Sequence, residues 1–232
     1  MSPRPIKSRR HPNLETTIKE TAWEQIAELG PAALNLRAIA RKLGIATPSI
    51  YNYYSNRDAL VTALVVEAFA SLAASQAASI VAIPERAYAQ RLLTLGLEYR
   101  VWAIAKPERY QLVFGTPIAG YYAPLPVIQP VARLSMATLM QVLQAAHAAG
   151  CLRPEMGRTL PLPLQAMFVA WRVEPEPADE QVQFLTLSIW GQVHGLVSLE
   201  IGHHYPSFII DPGQLYRHAL DLLVQRYLPH TE

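Results

Sequence analysis

Around Leu36–Tyr54 the chain gathers side chains suited to recognising another molecule rather than transforming one. Arg37 can offer two parallel N–H donors to the O6 and N7 of a guanine, a contact worth roughly 1–3 kcal/mol of base discrimination. Thr47 and Ser49 carry hydroxyls that donate or accept, and Pro48 presents an apolar surface fit for a thymine methyl. Tyr51 and Tyr53 can donate to phosphate oxygens, which sets register without reading sequence. Arg57 follows as a candidate phosphate clamp. Reactive chemistry is harder to assemble. Glu200-x-x-His203, with His204 and His194, has a metal-like spacing, but there is no second set of carboxylates on a facing helix. Histidines at a helix C-terminus are explained by the macrodipole. Cys151 stands four residues after His147 at a helix end, the wrong setting for a nucleophile and its base. No glycine-rich phosphate loop is present. The chain is therefore expected to be no enzyme, with no catalytic residue, no metal site and no cofactor.

Helical periodicity must position these groups. Ile18, Ala22, Ile26 and Leu29 mark one buried face of a helix predicted from about Leu14 to Leu29, and Gly30-Pro31 stops it. A short helix from about Leu36 to Leu43 has Asn35 as its N-cap and Gly44 just past its end, where glycine takes the left-handed conformation. The next runs from Thr47 to about Tyr54, with Thr47 as N-cap and Pro48 at the first helical position. Two short helices joined through Gly44 make a helix-turn-helix. Ala40 lets them approach, and Ile39, Leu43, Ile45 and Ile50 form the core between them. An ordinary αα-hairpin shares that bare pattern. The amphipathic helix before it, the basic flank and the hydroxyls and rings of the second helix favour DNA. Ser55-Asn56 opens a long helix to about Ala82. Further helices are predicted at about 84–105, 107–114, 126–149, 179–201 and 212–227, with a shorter one at 162–172. Gly115–Pro124 and Arg153–Pro161 read as loops, and Glu174–Pro177 as a break.

Thr17 to about Leu64 resembles the TetR family of bacterial transcriptional regulators. The residues that carry the resemblance are Gly30, Arg37-x-Ile39-Ala40, Gly44-Ile45, Ile50-Tyr51-x-Tyr53-Tyr54 and Asn56-Arg57-Asp58-Ala59-Leu60. Tyr54 stands where the family usually has Phe, and Arg57 where it usually has Lys. Thr47-Pro48-Ser49 is similar to the start of the recognition helix in the tetracycline repressor, which implies neither the same operator nor the same drug. A second stretch, Trp190 to Glu200 with Ala105 to Gly115, resembles a TetR-type C-terminal domain carrying a Trp-x-x-x-His-Gly signature at Trp190, His194 and Gly195.

That resemblance implies an all-α protein. A basic arm would cover 1–12, a three-helix helix-turn-helix DNA-binding domain 13–57, and a helical ligand-binding and dimerisation domain 58–232. Thr47, Pro48, Ser49, Tyr51 and Tyr53 would face the major groove of a palindromic double-stranded DNA operator. The partner would be a second copy, held through the last two long helices at about 179–201 and 212–227. Arg4, Lys7, Arg9 and Arg10 in the arm add phosphate contacts or simply a solubilising tail. A small, largely apolar effector would release the DNA. Trp102, Phe114, Tyr121, Tyr122, Met136, Met140, Phe168, Trp171, Trp190 and His194 have the composition of such a pocket. Aromatics and methionines at helical spacing also build plain cores, and a structural hydrogen bond is the simpler role for His194. Gly191 and Gly195 allow close helix approach, in a core or in a dimer.

Composition and charge point the same way. Of 232 residues 51% are hydrophobic and only 16% charged, against about 25% charged in an average soluble domain, so much surface is hidden. Residues 1–64 hold nine Lys/Arg and five acids, a local +4, and the remainder carries −2. A basic N-terminal part suits a polyanion. One cysteine rules out an intrachain disulfide. No secretory h-region is present. The uncharged stretches 110–132, 134–152 and 181–199 are interrupted by Pro, Gly or polar residues, so a cytoplasmic protein without a membrane partner is expected. The expected function is ligand-responsive transcriptional regulation, with repression as its sense. The alternative is a helical small-molecule- or metal-binding protein that does not act on DNA.

Overall fold

A computed structural model describes residues 13–153, 160–169 and 179–228, and every α or 3-10 element among them is helical, as expected. In chain order the helices are α1 (Leu14–Leu29), α2 (Leu36–Lys42), α3 (Thr47–Tyr51), α4 (Arg57–Ser79) and α5 (Tyr88–Ala105). There follow α6 (Pro107–Phe114), α7 (Leu125–Ala148), α8 (Leu162–Val169), α9 (Glu180–Ile201) and α10 (Pro212–Tyr227). A single 3-10 turn, Pro31–Ala33, joins α1 to α2. The basic arm, Trp171 and the Glu174–Pro177 break lie outside the described residues.

The differences from the expected boundaries are local. α5 begins at Tyr88 rather than Pro84, because Ala87 leaves helical geometry and its N–H closes a turn onto Pro84 O at 3.0 Å. α3 ends at Tyr51, where the chain tightens as Tyr53 and Tyr54 both donate to Ile50 O at 2.9 Å. Leu29, placed by periodicity on the buried face of α1, is exposed. It is the final residue of the helix, where the chain leaves helical geometry at Gly30.

The chain divides into two compact units, Met1–Glu67 with Glu108–Ile128, and Ala68–Pro107 with Gln129–Glu232. The expected division after residue 57 therefore does not coincide with them. Glu67 explains the difference within the first unit. Its carboxylate accepts from Trp23 Nε1 at 3.0 Å and pairs with Lys19 at 3.0 Å and Arg109 at 3.1 Å. The Arg109 guanidinium also lies over the Trp23 ring, 4.7 Å from its centroid. α1, α4 and α6 thus meet on one carboxylate. Burial alone would raise its pKa, but the hydrogen bonds from Lys19 and Trp23 and the charges of Lys19 and Arg109 hold it below the usual range. Around it Ile18, Ala22, Ile26, Ile39, Ile50, Leu60 and Leu64 form the core.

In the second unit, Gly96 is the close approach of α5 to α10. A Cβ there would lie 2.6 Å from a Leu220 methyl, and the Gly96 carbonyl accepts from the buried Tyr216 hydroxyl. Nearby, Arg100 grips Glu200 with two bonds, Nε to Oε2 at 2.7 Å and Nη2 to Oε1 at 2.5 Å, which ties α5 to the end of α9. α4 is the one described helix long and apolar enough to cross a membrane. Its mid-helix Glu67, ion-paired to protein cations, argues for protein on that face instead.

Candidate nucleic-acid interface

α2 starts where Asn35 Oδ1 accepts from the N–H groups of Arg37 at 2.9 Å and Ala38 at 3.2 Å, satisfying two of the donors a helix start leaves unpaired. It ends at Gly44, with φ of 64°. Gly44 N donates to Arg41 O at 3.2 Å and Ile45 N to Ala40 O at 3.0 Å, the paired bonds of a Schellman ending. A Cβ at Gly44 would meet nothing within 4 Å, so the backbone conformation, not space, requires glycine. The chain then turns directly into α3.

The N-cap of α3 is Ala46, not Thr47, because Ala46 holds the extended backbone and accepts from Ser49 N at 2.8 Å. Thr47 is the first helical residue and Pro48 the second. The N-cap Ala46 has no polar side-chain atom, so no side-chain cap bond closes this helix start. Ile50 is fully buried and fixes which way α3 faces. Pro48 is exposed, Thr47 and Ser49 are half-buried, and Tyr51 and Tyr53 are 45% and 46% exposed. Tyr54 points inward instead. Its hydroxyl reaches Glu15 Oε1 at 3.4 Å, and burial, with the Glu15 charge, pushes the phenol up to about 12.

The cations sort themselves. Arg37 and Arg41 are exposed, one helical turn apart on α2, and neither pairs with a carboxylate among the described residues. Arg41 was not among the residues singled out by sequence, although its spacing four after Arg37 puts both on one face. Lys42 is answered by Glu24 at 3.0 Å and Glu28 at 3.8 Å. Arg57, expected on a phosphate, is engaged by the protein itself. Its Nε donates to Leu34 O at 3.1 Å, and its Nη2 to Ala32 O at 2.9 Å and Pro31 O at 3.3 Å. The first residue of α4 therefore holds the turn that leads into α2.

Residues 18–64, which span this hairpin and its flanking helices, match the model for bacterial regulatory proteins of the tetR family. Residues 92–223 match the tetracyclin repressor-like C-terminal domain. The chain is 31% identical over 219 residues to the HTH-type transcriptional regulator Rv1816 of Mycobacterium tuberculosis (strain ATCC 25618 / H37Rv), covering 94% of this chain and 93% of that one. It belongs to the TetR family. Among solved structures, SCO4313 is 32% identical, with a TM-score of 0.75 over 95% of this chain and 98% of that one. A protein of unknown function from Rhodococcus sp. RHA1 is 19% identical and shares the fold, with a TM-score of 0.71 over 96% of this chain and 100% of that one. As a TetR-family member the protein is a ligand-responsive, DNA-binding transcriptional regulator and not an enzyme.

In this TetR chain the residues expected to line an effector pocket are divided between the two units. Phe114, Tyr121 and Tyr122 belong to the unit that carries the hairpin. Phe114 is half-buried, 5.2 Å from the Tyr110 ring, the Tyr121 hydroxyl shares a hydrogen bond with Thr62 at 3.0 Å, and Tyr122 is 88% exposed. Trp102, Met136, Met140, Phe168, Trp190 and His194 belong to the other unit. Trp102 is buried and donates to Ser71 Oγ at 3.1 Å. Met140 and Phe168 are buried, and Met136 is half-buried. Trp190 stacks on His194 with ring centroids 4.7 Å apart. His194 Nδ1 lies 2.8 Å from the Tyr99 hydroxyl, Nε2 lies 3.3 Å from Ser198 Oγ, and burial lowers the imidazole pKa. A structural hydrogen bond at His194 is thus present, linking α9 to α5.

Proposed function

We propose that this TetR-family regulator represses transcription by binding a palindromic operator as a homodimer, and that a small, largely apolar effector releases it. The observation that carries the reading is the outer face of the hairpin. Ile50 turns inward while Pro48, Tyr51, Tyr53, Arg37 and Arg41 stay exposed, so a basic and hydrogen-bonding surface faces solvent. Arg37 reads a base edge, Thr47, Pro48 and Ser49 enter the major groove, and Tyr51 and Tyr53 hold phosphates. Arg41 joins the phosphate contacts. Arg57 leaves that set and acts as a positioning residue, because its Nε and Nη2 already face carbonyls. The DNA-binding role belongs to residues 13–57 and the effector and dimer roles to the helices beyond, in the cytoplasm.

The dimer face is assigned to α9 and α10. Phe184, Leu187 and Leu199 on α9, and Leu215 and Leu222 on α10, are exposed apolar residues. A Cβ at Gly191 or Gly195 would meet nothing within 4 Å of its own chain, which removes core packing as the reason for these glycines and favours the approach of a second copy. Trp190, His194 and Gly195 are read as the signature of the C-terminal domain. Effector binding acts through α4, which begins at the Arg57 anchor. Half-sites lie about 34 Å apart, so a shift of a few ångströms in the separation of two recognition helices defeats simultaneous docking.

Electrophoretic shifts with DNA from upstream of the gene test the reading. The wild type should shift a fragment containing an inverted repeat, Arg37→Ala should narrow the preference for it over random DNA, and Tyr51→Phe should weaken binding to both fragments alike. Equal retention of both fragments by the wild type would sink it.

A further inference from the structure

We propose that Arg109 is a positioning residue for DNA binding: held on Glu67 and laid over the Trp23 ring, it gives α6 a direct grip on α1, and through α1 it sets the position of the recognition hairpin. The inference rests on the hairpin as the DNA-binding element and goes beyond the route through α4 given above. Arg109 is the third residue of α6. Its Nη2 lies 3.1 Å from Glu67 Oε1, and its guanidinium carbon lies 4.7 Å from the centroid of the Trp23 ring. The Arg109 side chain is 20% exposed, so salt and solvent screen this pair less than one on the open surface.

Trp23 is fixed from two directions. The ring edge donates Nε1–H to Glu67 Oε1 at 3.0 Å, and the ring face meets Arg109. Lys19, one turn earlier on α1, takes the other carboxylate oxygen, Oε2, at 3.0 Å. Lys19 and Trp23 are four residues apart and share one face of α1. On the adjacent face Ile18, Ala22 and Ile26 are buried, as are Ile39 of α2 and Ile50 of α3. α1 packs on α2, and α2 on α3. The same helix therefore carries the surface that α6 touches and the surface on which the hairpin sits. A close-packed interior passes a displacement on instead of absorbing it. There is a second tie at the far side of the hairpin. Three residues past α3, the Tyr54 hydroxyl reaches Glu15 Oε1 at 3.4 Å, one turn before Lys19 on α1.

Arg109, not Glu67, is the separable member of this cluster. Removing Glu67 would strip Lys19 and Arg109 of their shared anion and leave the Trp23 N–H without its acceptor. Such a loss would damage the fold outright. Removing the Arg109 charge leaves Lys19 and Trp23 on the carboxylate, so α1 and α4 stay joined. What comes loose is α6 and the face of the indole. The hairpin should then shift without unfolding. The guanidinium faces Glu67 and Trp23, so its effect on DNA is indirect.

The test uses the full-length protein with δ-methyl-labelled isoleucine, as wild type, Arg109→Met and Arg109→Lys. Methionine keeps an apolar stem and removes the charge, and lysine restores the charge. In Arg109→Met the Ile50 methyl resonance, assigned through Ile50→Val, should move from its wild-type position. Affinity for the upstream DNA fragment that the wild type shifts should fall about 5-fold or more, with the slope of log affinity against log salt unchanged. Arg109→Lys should bring both the resonance and the affinity back toward wild type. An unmoved Ile50 resonance or wild-type affinity in Arg109→Met would overturn the proposal. So would a salt slope lower by about 0.9, which would make Arg109 a phosphate contact. An Arg109→Lys protein as impaired as Arg109→Met, or an Arg109→Met protein that does not fold, would reduce Arg109 to plain scaffolding and overturn it as well. The methyl resonance needs no DNA, which keeps the two readings apart. A wild type that shifts no DNA, while Ile50 still follows residue 109, strikes the DNA-binding reading and leaves the grip of α6 on the hairpin standing.

Discussion

Single side chains in this protein are distinguished less by type than by what already occupies them. Arg37 and Arg57 are both arginines beside the hairpin, yet one is open and the other faces three carbonyls. Arg37→Ala should therefore cost about 1–3 kcal/mol at one operator position and leave random DNA binding unchanged, measured by titrating operators substituted base by base. Arg41→Ala should lower the slope of log affinity against log salt by about 0.9. Arg57→Ala should leave that slope alone and lower the melting temperature; a slope change like that of Arg41→Ala would return Arg57 to the phosphate. His194 makes a separate prediction. Burial lowers its proton affinity below the ordinary value of 6.5, so as pH falls through 6.5 the unfolded chain takes up a proton that the folded chain refuses. This contribution to stability is complete above that value and is lost on acidification. Melting temperatures across the pH range should show a fall toward acid that His194→Gln diminishes, and an unchanged fall in the variant would refute the assignment.

At the scale of elements, local sequence signals were the readable ones. Asn35 and Gly44 announce the two ends of α2, and both make the bonds expected of them. Gly44→Ala should cost about 1–2 kcal/mol, because a side chain is forced into the left-handed region with no steric clash to blame. Calorimetry should show it, and a neutral result would mean that the turn relaxes. The start of α3 was misread by one residue. Thr47 has the right chemistry for an N-cap, but the Schellman ending of α2 leaves Ala46 extended and uses that position as the cap. The Glu67 cluster was not legible at all. Trp23, Glu67 and Arg109 are far apart in sequence, and nothing in their local context says that α1, α4 and α6 converge there. The same holds for Gly96, whose purpose is visible only once Leu220 lies against it.

For the whole molecule the decisive requirement is a pair of recognition helices. Gly191→Leu would fill the open surface of α9 without touching its own chain. If the two α9 helices meet there, this variant should keep its helical content and melting behaviour, sediment as a monomer, and lose operator binding by about 100-fold or more, since a single half-site gives up the second set of contacts. A Gly191→Leu protein that remains dimeric would move the interface elsewhere. The sequence by itself determined the all-helical fold, the hairpin and its caps, and the family. These depend on periodicity and on hydrogen bonds that span only a few residues. Only the tertiary structure decided which charged and polar groups remain open. Arg57 closes on backbone carbonyls, and Lys19 and Arg109 close on Glu67. Each outcome depends on chain segments distant in sequence arriving at contact distance, and residue type and spacing do not encode that arrival.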